Sequence, residues 1–321
     1  MIERVPLAHL PTPIEALPRL SQLLGGALFF IKRDDLTGLG LGGNKTRKLE
    51  YLVADALAKG AKTLITTGAV QSNHCRQVAA ASAKLGLGCQ LILAGDEPEE
   101  AQGNLLLDKL SGAQIFYSSK TTRDQVLQEK FNQAKEEGLE PYLIPYGGSN
   151  TKGAPGYLNA MIELSGQGLQ PDWIVFASSS GGTQAGMILG AHHTGYKGKI
   201  LGISIEHDSA SFSTQIAELV NQTALELRYD WSVTHEEILI NDAYCSAGYG
   251  VLTPAEVEAV NLFASEEGIL LDPVYTGRAA AGLLDLARKG FFRPREKVLF
   301  WHTGGTPALF APPYSQGLLQ G

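Results

Sequence analysis

Trp173-Ile174-Val175-Phe176-Ala177-Ser178-Ser179-Ser180-Gly181-Gly182-Thr183-Gln184-Ala185-Gly186 runs from a buried-type apolar stretch through a Ser/Gly turn into a helix-forming segment. Glycines free the backbone N–H groups, the hydroxyls add donors, and a helix N-terminus favours an anion. The stretch reads as a phosphate cradle at Ser179, Ser180, Gly181, Gly182 and Thr183, without a Walker lysine. The same strand–turn–helix pattern recurs on both sides. Strands are expected at 27–31, 63–67, 90–94, 114–117, 142–144, 173–177, 199–205 and 298–301. Helices are expected at 44–59, 72–85, 101–110, 122–136, 183–193, 254–267 and 277–288. Strands separated by helices of this length indicate parallel sheets covered on both faces. The expected fold is α/β, with two open twisted parallel-sheet domains.

Composition narrows the functional class. The chain has 321 residues, 37 of them glycine, and a formal net charge of −7. The glycines cluster at 38–43, 147–148, 181–182, 248–250 and 304–305, mostly after strands, where an open parallel sheet binds its ligands. No basic tract stands out, so nucleic acid is not an expected partner. No run of 18 apolar residues exists, so no membrane span is expected. Residues 1–6 carry no secretory pattern. Cys75, Cys89 and Cys245 form neither a disulfide framework nor a metal knuckle, which fits a reducing cytosol. The histidines at 9, 192, 193, 207 and 235 show no metal-ligand spacing, so no metal site is expected.

Two motif matches mislead. Gly38-Leu39-Gly40-Leu41-Gly42-Gly43 matches GxGxxG, but Arg33–Thr37 separates it from the strand and the next strand ends in Thr66-Thr67, not an acid. The same stretch approaches a Walker loop but has Asn44 where glycine is required. Asn44-Lys45-Thr46-Arg47-Lys48 is more informative. Asn44 reads as an N-cap. Three cations then crowd a helix start whose dipole is already positive, at ~0.3–1 kcal/mol each if exposed. They are either solvated on a surface helix or offset by something anionic. A lysine beside two cations also has its ammonium form disfavoured, which makes it a better nucleophile for carbonyls. Gln71-Ser72-Asn73-His74 follows another strand and opens a helix; Ser72 can cap it, and the free N–H groups suit a carboxylate. An imine-forming lysine, a phosphate cradle and a carboxylate-binding helix start together suggest pyridoxal phosphate acting on an amino acid.

These motifs, with Asp272-Pro273-Val274-Tyr275 and His302-Thr303-Gly304-Gly305, resemble the 1-aminocyclopropane-1-carboxylate deaminase / D-cysteine desulfhydrase family. The resemblance runs from Leu10-Pro11-Thr12-Pro13 to Gly305. It implies pyridoxal-phosphate fold type II, similar to the tryptophan synthase β subunit. Residues 1–47 and 149–321 would form a large cofactor-binding domain, with 48–148 a small domain inserted in it. Lys45 would hold pyridoxal 5'-phosphate through its amine and then exchange the substrate's Cα proton. Asn73 would bond the cofactor's phenolic oxygen, the 179–183 segment its phosphate, and Thr303 would face its pyridine nitrogen. Ser72, Asn73, His74, Tyr249 and Tyr275 would line the substrate side, with Ser72 and Tyr275 joining Lys45 as catalytic candidates. A homodimer is implied.

Two positions choose within the family. Where the deaminases resemble Asp-Pro-Val-Tyr-Glu, this chain has Thr276, and a hydroxyl does not keep a pyridine nitrogen protonated. His74 resembles the desulfhydrase form, the deaminases usually having Gln. A weak electron sink suits expulsion of hydrosulfide better than opening of an unactivated cyclopropane. The expected reaction is α,β-elimination of D-cysteine to pyruvate, hydrogen sulfide and ammonia. The alternatives are 1-aminocyclopropane-1-carboxylate deamination, L-cysteate sulfo-lyase activity, and a non-catalytic amino-acid sensor on the same fold.

Overall fold

The computed structural model describes residues 3–319. In chain order it begins with strand β1 (Ile14–Ala16), helix α1 (Pro18–Leu24), β2 (Leu28–Arg33) and α2 (Asn44–Ala58). A second group follows: β3 (Thr63–Ala69), α3 (Asn73–Leu85), β4 (Gly88–Ala94), α4 (Gly103–Leu110), β5 (Gln114–Ser118), α5 (Arg123–Glu136) and β6 (Pro141–Leu143). The rest comprises α6 (Pro155–Gly166), β7 (Trp173–Ser178), α7 (Gly182–Thr194), β8 (Lys199–Ser204), α8 (Ser209–Glu226), β9 (Leu239–Asn241), α9 (Pro254–Glu267), α10 (Thr276–Arg288), β10 (Lys297–His302) and α11 (Tyr314–Gly317).

Two sheets result. One has the order β1-β2-β10-β7-β8-β9, the other β5-β4-β3-β6. All pairings are parallel except β1 with β2, so the expectation of purely parallel sheets is corrected at one edge. Residues alternate across the larger sheet, as a period of two requires. Phe176, Leu299 and Trp301 pack with Tyr157 and Met161 of α6 and Met187 of α7. Val175, Val298 and Phe300 pack on the other face with Phe263 of α9 and Leu283 of α10. The smaller sheet has its own core, with Leu64, Leu91 and Leu93 against Leu52 of α2 and Val78 of α3. The expected boundary between residues 47 and 48 falls inside α2, one unbroken helix.

The cations of α2 are not solvated, and Arg47 is offset by anionic partners. Asn44 is not the cap: Gly43 occupies that position, and Asn44 Nδ2 instead donates to Thr183 Oγ1 at 3.1 Å. Arg47 and Lys48 are buried rather than solvated. Arg47 donates to Asp34 through Nε (2.9 Å) and Nη2 (2.8 Å), and to Glu163 through Nη1 (3.0 Å) and Nη2 (2.9 Å). Asp34 also accepts from Trp301 Nε1 at 2.8 Å and from the Tyr157 hydroxyl. Lys32 Nζ joins Glu163 and the Thr12 carbonyl. Burial alone would raise the Asp34 carboxyl, but Arg47, with Tyr157 and Lys32, more than offsets this and holds it below the usual carboxylate range. Two acids and two bases close the cluster with no formal net charge, and it ties α2 to β2, α6 and β10.

Removing one member of such a cluster strands the others. Arg47→Ala is expected to destabilise the fold by about 3–5 kcal/mol, read as a lower urea midpoint.

Candidate active site

The carboxyl ends of β7, β10 and β3 meet the N-terminus of α2 at one cleft. Asn44, Lys45, Ser72, His74, Tyr146, Gly147, the 177–181 turn, Thr183, Tyr275 and Thr303 line it. Segments separated by up to 259 positions in the chain thus converge. None of the lining residues is acidic.

Lys45 is placed by main chain on both sides. Gly43 N donates to Asp34 O at 2.9 Å, and Asn44 N donates to Thr303 O at 3.0 Å. The Lys45 amine makes no hydrogen bond or ion pair among the described residues and stands 5.4 Å from the centre of the Tyr275 ring. Burial lowers its pKa to about 8, with Asp272 opposing and Arg76 adding to the shift. The expected direction is right, but its principal cause is desolvation rather than the adjacent cations. Arg47, the neighbour two positions on, is already neutralised by Asp34 and Glu163.

At the cradle, α7 starts at Gly182 with no side-chain cap and no acid in its first turn. The hydroxyl of Ser149 stands there: it accepts from Gly182 N at 3.1 Å and lies 2.8 Å from Ser180 Oγ. A Cβ on Gly182 would come within 2.4 Å of that hydroxyl oxygen, so only glycine fits this approach. Lys48 Nζ donates to Ser149 Oγ at 3.3 Å and has no carboxylate partner among the described residues. Burial, then Lys45, holds its pKa well below the ordinary value. A helix start with no acid in its first turn and a buried lysine with no counter-charge among the described residues both fit an anionic group here. Ser179 contributes differently, its hydroxyl turning out to Glu206 at 3.2 Å and leaving its main chain to the cradle. The sequence reading missed Ser149 and the orientation of Lys48. The only signal for Ser149 was its position directly after Gly147-Gly148.

Of the remaining candidates, Ser72, His74, Tyr275 and Thr303 line the cleft, whereas Asn73 and Tyr249 stand behind its lining. Ser72 caps α3, its Oγ accepting from Cys75 N at 3.2 Å, which leaves the hydroxyl proton free to donate. Thr66 Oγ1 donates to Ile144 O at 2.8 Å, so it accepts from His74 Nε2 at 2.9 Å. That assigns the proton of His74 to Nε2 and leaves Nδ1 an acceptor with no partner among the described residues. Burial, then Lys45 and Lys48, keeps the ring neutral by pushing its pKa well down. Tyr249 and Tyr275 share a hydroxyl hydrogen bond at 2.7 Å, and burial raises both phenols well above their ordinary values. Thr303 lines the cleft, whereas Thr276 is fully buried and its hydroxyl donates to Asp272 Oδ1 at 2.8 Å. The same carboxylate accepts from Tyr275 N at 3.0 Å and so sets the start of α10. Among the described residues no group of three or more His, Cys, Asp or Glu could hold a metal, and no helix is long and apolar enough to cross a membrane.

Comparison with known proteins agrees with this geometry. Residues 5–304 match the family described as pyridoxal-phosphate dependent enzyme. The solved structure of an ACC deaminase homologue is similar at 40% identity and a TM-score of 0.91, covering 99% of this chain and 96% of that one. A fungal L-serine ammonia-lyase from Rhizomucor miehei shares the fold at 16% identity and a TM-score of 0.67, covering 99% and 98%. A hydrogen sulfide-producing enzyme from Fusobacterium nucleatum shares it at 14% and 0.64, covering 94% and 97%. With an amine-bearing cleft, an anion-ready helix start and this match along nearly its whole length, the chain belongs to the pyridoxal-phosphate dependent enzyme family, and its cofactor is pyridoxal 5'-phosphate.

Proposed function

We propose that the protein is a carbon–sulfur lyase that converts D-cysteine to pyruvate, hydrogen sulfide and ammonia. The observation that carries this reading is a cleft with an unpaired lysine amine and no acidic residue in its lining. When bound, the cofactor acidifies the substrate's Cα–H bond and accepts its electron pair.

The chain's own residues do the rest. Lys45 anchors the cofactor and then moves the Cα proton; an amine with a pKa about 8 can take a proton and return it near neutral pH. Lys48 and the first turn of α7 hold the phosphate end. The α3 N-terminus and the free Ser72 proton hold the substrate carboxylate, while His74 Nδ1 accepts a hydrogen bond from the substrate. Tyr275 stays protonated and serves as a donor rather than a base. Thr303 is the residue for the pyridine nitrogen. A hydroxyl leaves that nitrogen unprotonated, which a good leaving group such as hydrosulfide tolerates and a cyclopropane does not. The neighbouring ACC deaminase homologue keeps ring opening as the alternative reaction. We further propose 48–148 as a small domain that closes over substrate, in a cytosolic homodimer.

Turnover of D-cysteine, L-cysteine, L-cysteate and 1-aminocyclopropane-1-carboxylate should be compared side by side. Sulfide and pyruvate are expected from D-cysteine, and efficient ring opening instead would overturn the assignment. Lys45→Ala should remove both the visible cofactor band and sulfide release.

The Lys45 amine also makes a stability prediction for the cofactor-free chain. Its folded pKa of about 8 lies below the ordinary 10.5. Between these values the unfolded chain holds more protons, so this group's contribution to stability rises with pH across that window. Urea melts should show wild type gaining on Lys45→Met as pH climbs through it. A constant difference between the two would refute the shift.

A further inference from the structure

The two ends of the Asn73 amide have different surroundings. Oδ1 accepts from Asn104 Nδ2 at 2.9 Å. Nδ2 makes no hydrogen bond among the described residues and lies against the turn after β10, where a Cβ on Gly305 would stand 2.7 Å from it. An asparagine amide can be reversed with almost no change of shape, so a neighbour must decide which end faces that turn.

Asn104 makes the decision. Its Nδ2 also donates to the Gln71 carbonyl at 3.0 Å, and a carbonyl can only accept, so the Asn104 amide cannot be reversed. With its NH2 group committed, Asn104 presents a donor to Asn73, and Asn73 must answer with oxygen. Asn104 itself is locked at the start of α4. Its N–H donates to Gln71 Oε1 at 2.8 Å, and Gln71 Nε2 donates to Gln102 O at 3.0 Å. Asn104 is fully buried and its own Oδ1 has no partner, so this orientation is kept although one acceptor goes unused.

We propose that Asn104 is a positioning residue for the cofactor, holding Asn73 with its NH2 group toward the Thr303–Gly305 side of the site. The proposal rests on the reading that Asn73 donates to the cofactor's phenolic oxygen. A donor there favours the ionised oxygen, whereas an acceptor favours the protonated one. Asn104→Asp keeps the shape but cannot donate, so Asn73 turns its NH2 group to the new carboxylate and presents Oδ1 to the cofactor. Asn104→Leu removes the constraint without supplying a new partner.

The test uses holoenzyme and two readouts: the pH midpoint of the visible cofactor band, and the Kd for pyridoxal 5'-phosphate on reconstitution. Wild type, Asn73→Ala, Asn104→Asp, Asn104→Leu and the Asn73→Ala/Asn104→Leu double variant are compared. Expected are a raised midpoint and about tenfold weaker binding in Asn73→Ala and Asn104→Leu, with a larger midpoint shift in Asn104→Asp. The double variant should be no worse than Asn73→Ala alone. Asn104 variants that lose only thermal stability, with wild-type midpoint and Kd, would overturn the proposal. An Asn73→Ala variant at wild-type values would instead refute the role of Asn73 itself, and the proposal with it.

Discussion

The buried pairing of Arg47 with Asp34 and Glu163 is the constraint on which the site depends. It lies two residues after Lys45 and joins the helix that carries the lysine to β2, α6 and β10. Buried ion pairs add little net stability, because desolvation consumes most of the attraction. Their effect here is geometric. Any shift of α2 along its axis would leave charges unpaired in the core, so α2 has one register and Lys45 one position. The cluster also consumes the Arg47 charge, which leaves burial as the main control on the Lys45 amine.

Charge is therefore divided between two neighbouring regions of opposite character. Behind α2, two acids and two bases balance. In front of it, Lys48 is buried and Lys45 partly buried, with no carboxylate in contact among the described residues, beside a helix start with no acid in its first turn. Such a region is unfavourable until an anion enters it, and a phosphorylated cofactor supplies one. The groups around it are tuned in the same sense, with His74 held neutral and Tyr249 and Tyr275 held protonated by burial. The cleft thus offers donors and one amine to an anionic ligand, and no acidic lining residue that would repel it.

Much of the architecture is legible in the chain because apolar period and turn chemistry are local. The expected strands and helices that flank the glycine clusters appear within a few residues of their observed bounds, as at β7 and α7. The elements that were missed lack a local signal. α6 opens with Pro155-Gly156 and is buried on several sides, so it shows little amphipathic period. α8 is rich in Ser and Thr, poor helix formers, and depends on the Asp208 cap and on Phe212, Ile216 and Val220 packed into the core. β1 and β9 have three residues each, too short for a period to show.

By itself the sequence determined the α/β class and the cofactor, and singled out the lysine proposed to receive it. Each of these is written in a contiguous stretch of about ten residues, where strand, turn and helix start lie side by side. Only the tertiary structure decided the surroundings of those stretches. It made Asn44 a tether to Thr183 rather than a cap, placed Ser149 in the cradle, and put Asn104 behind Asn73. The reason is that a hydrogen bond needs its partner within about 3 Å, and partners 31 to 139 positions apart in the chain meet only once both sheets have formed.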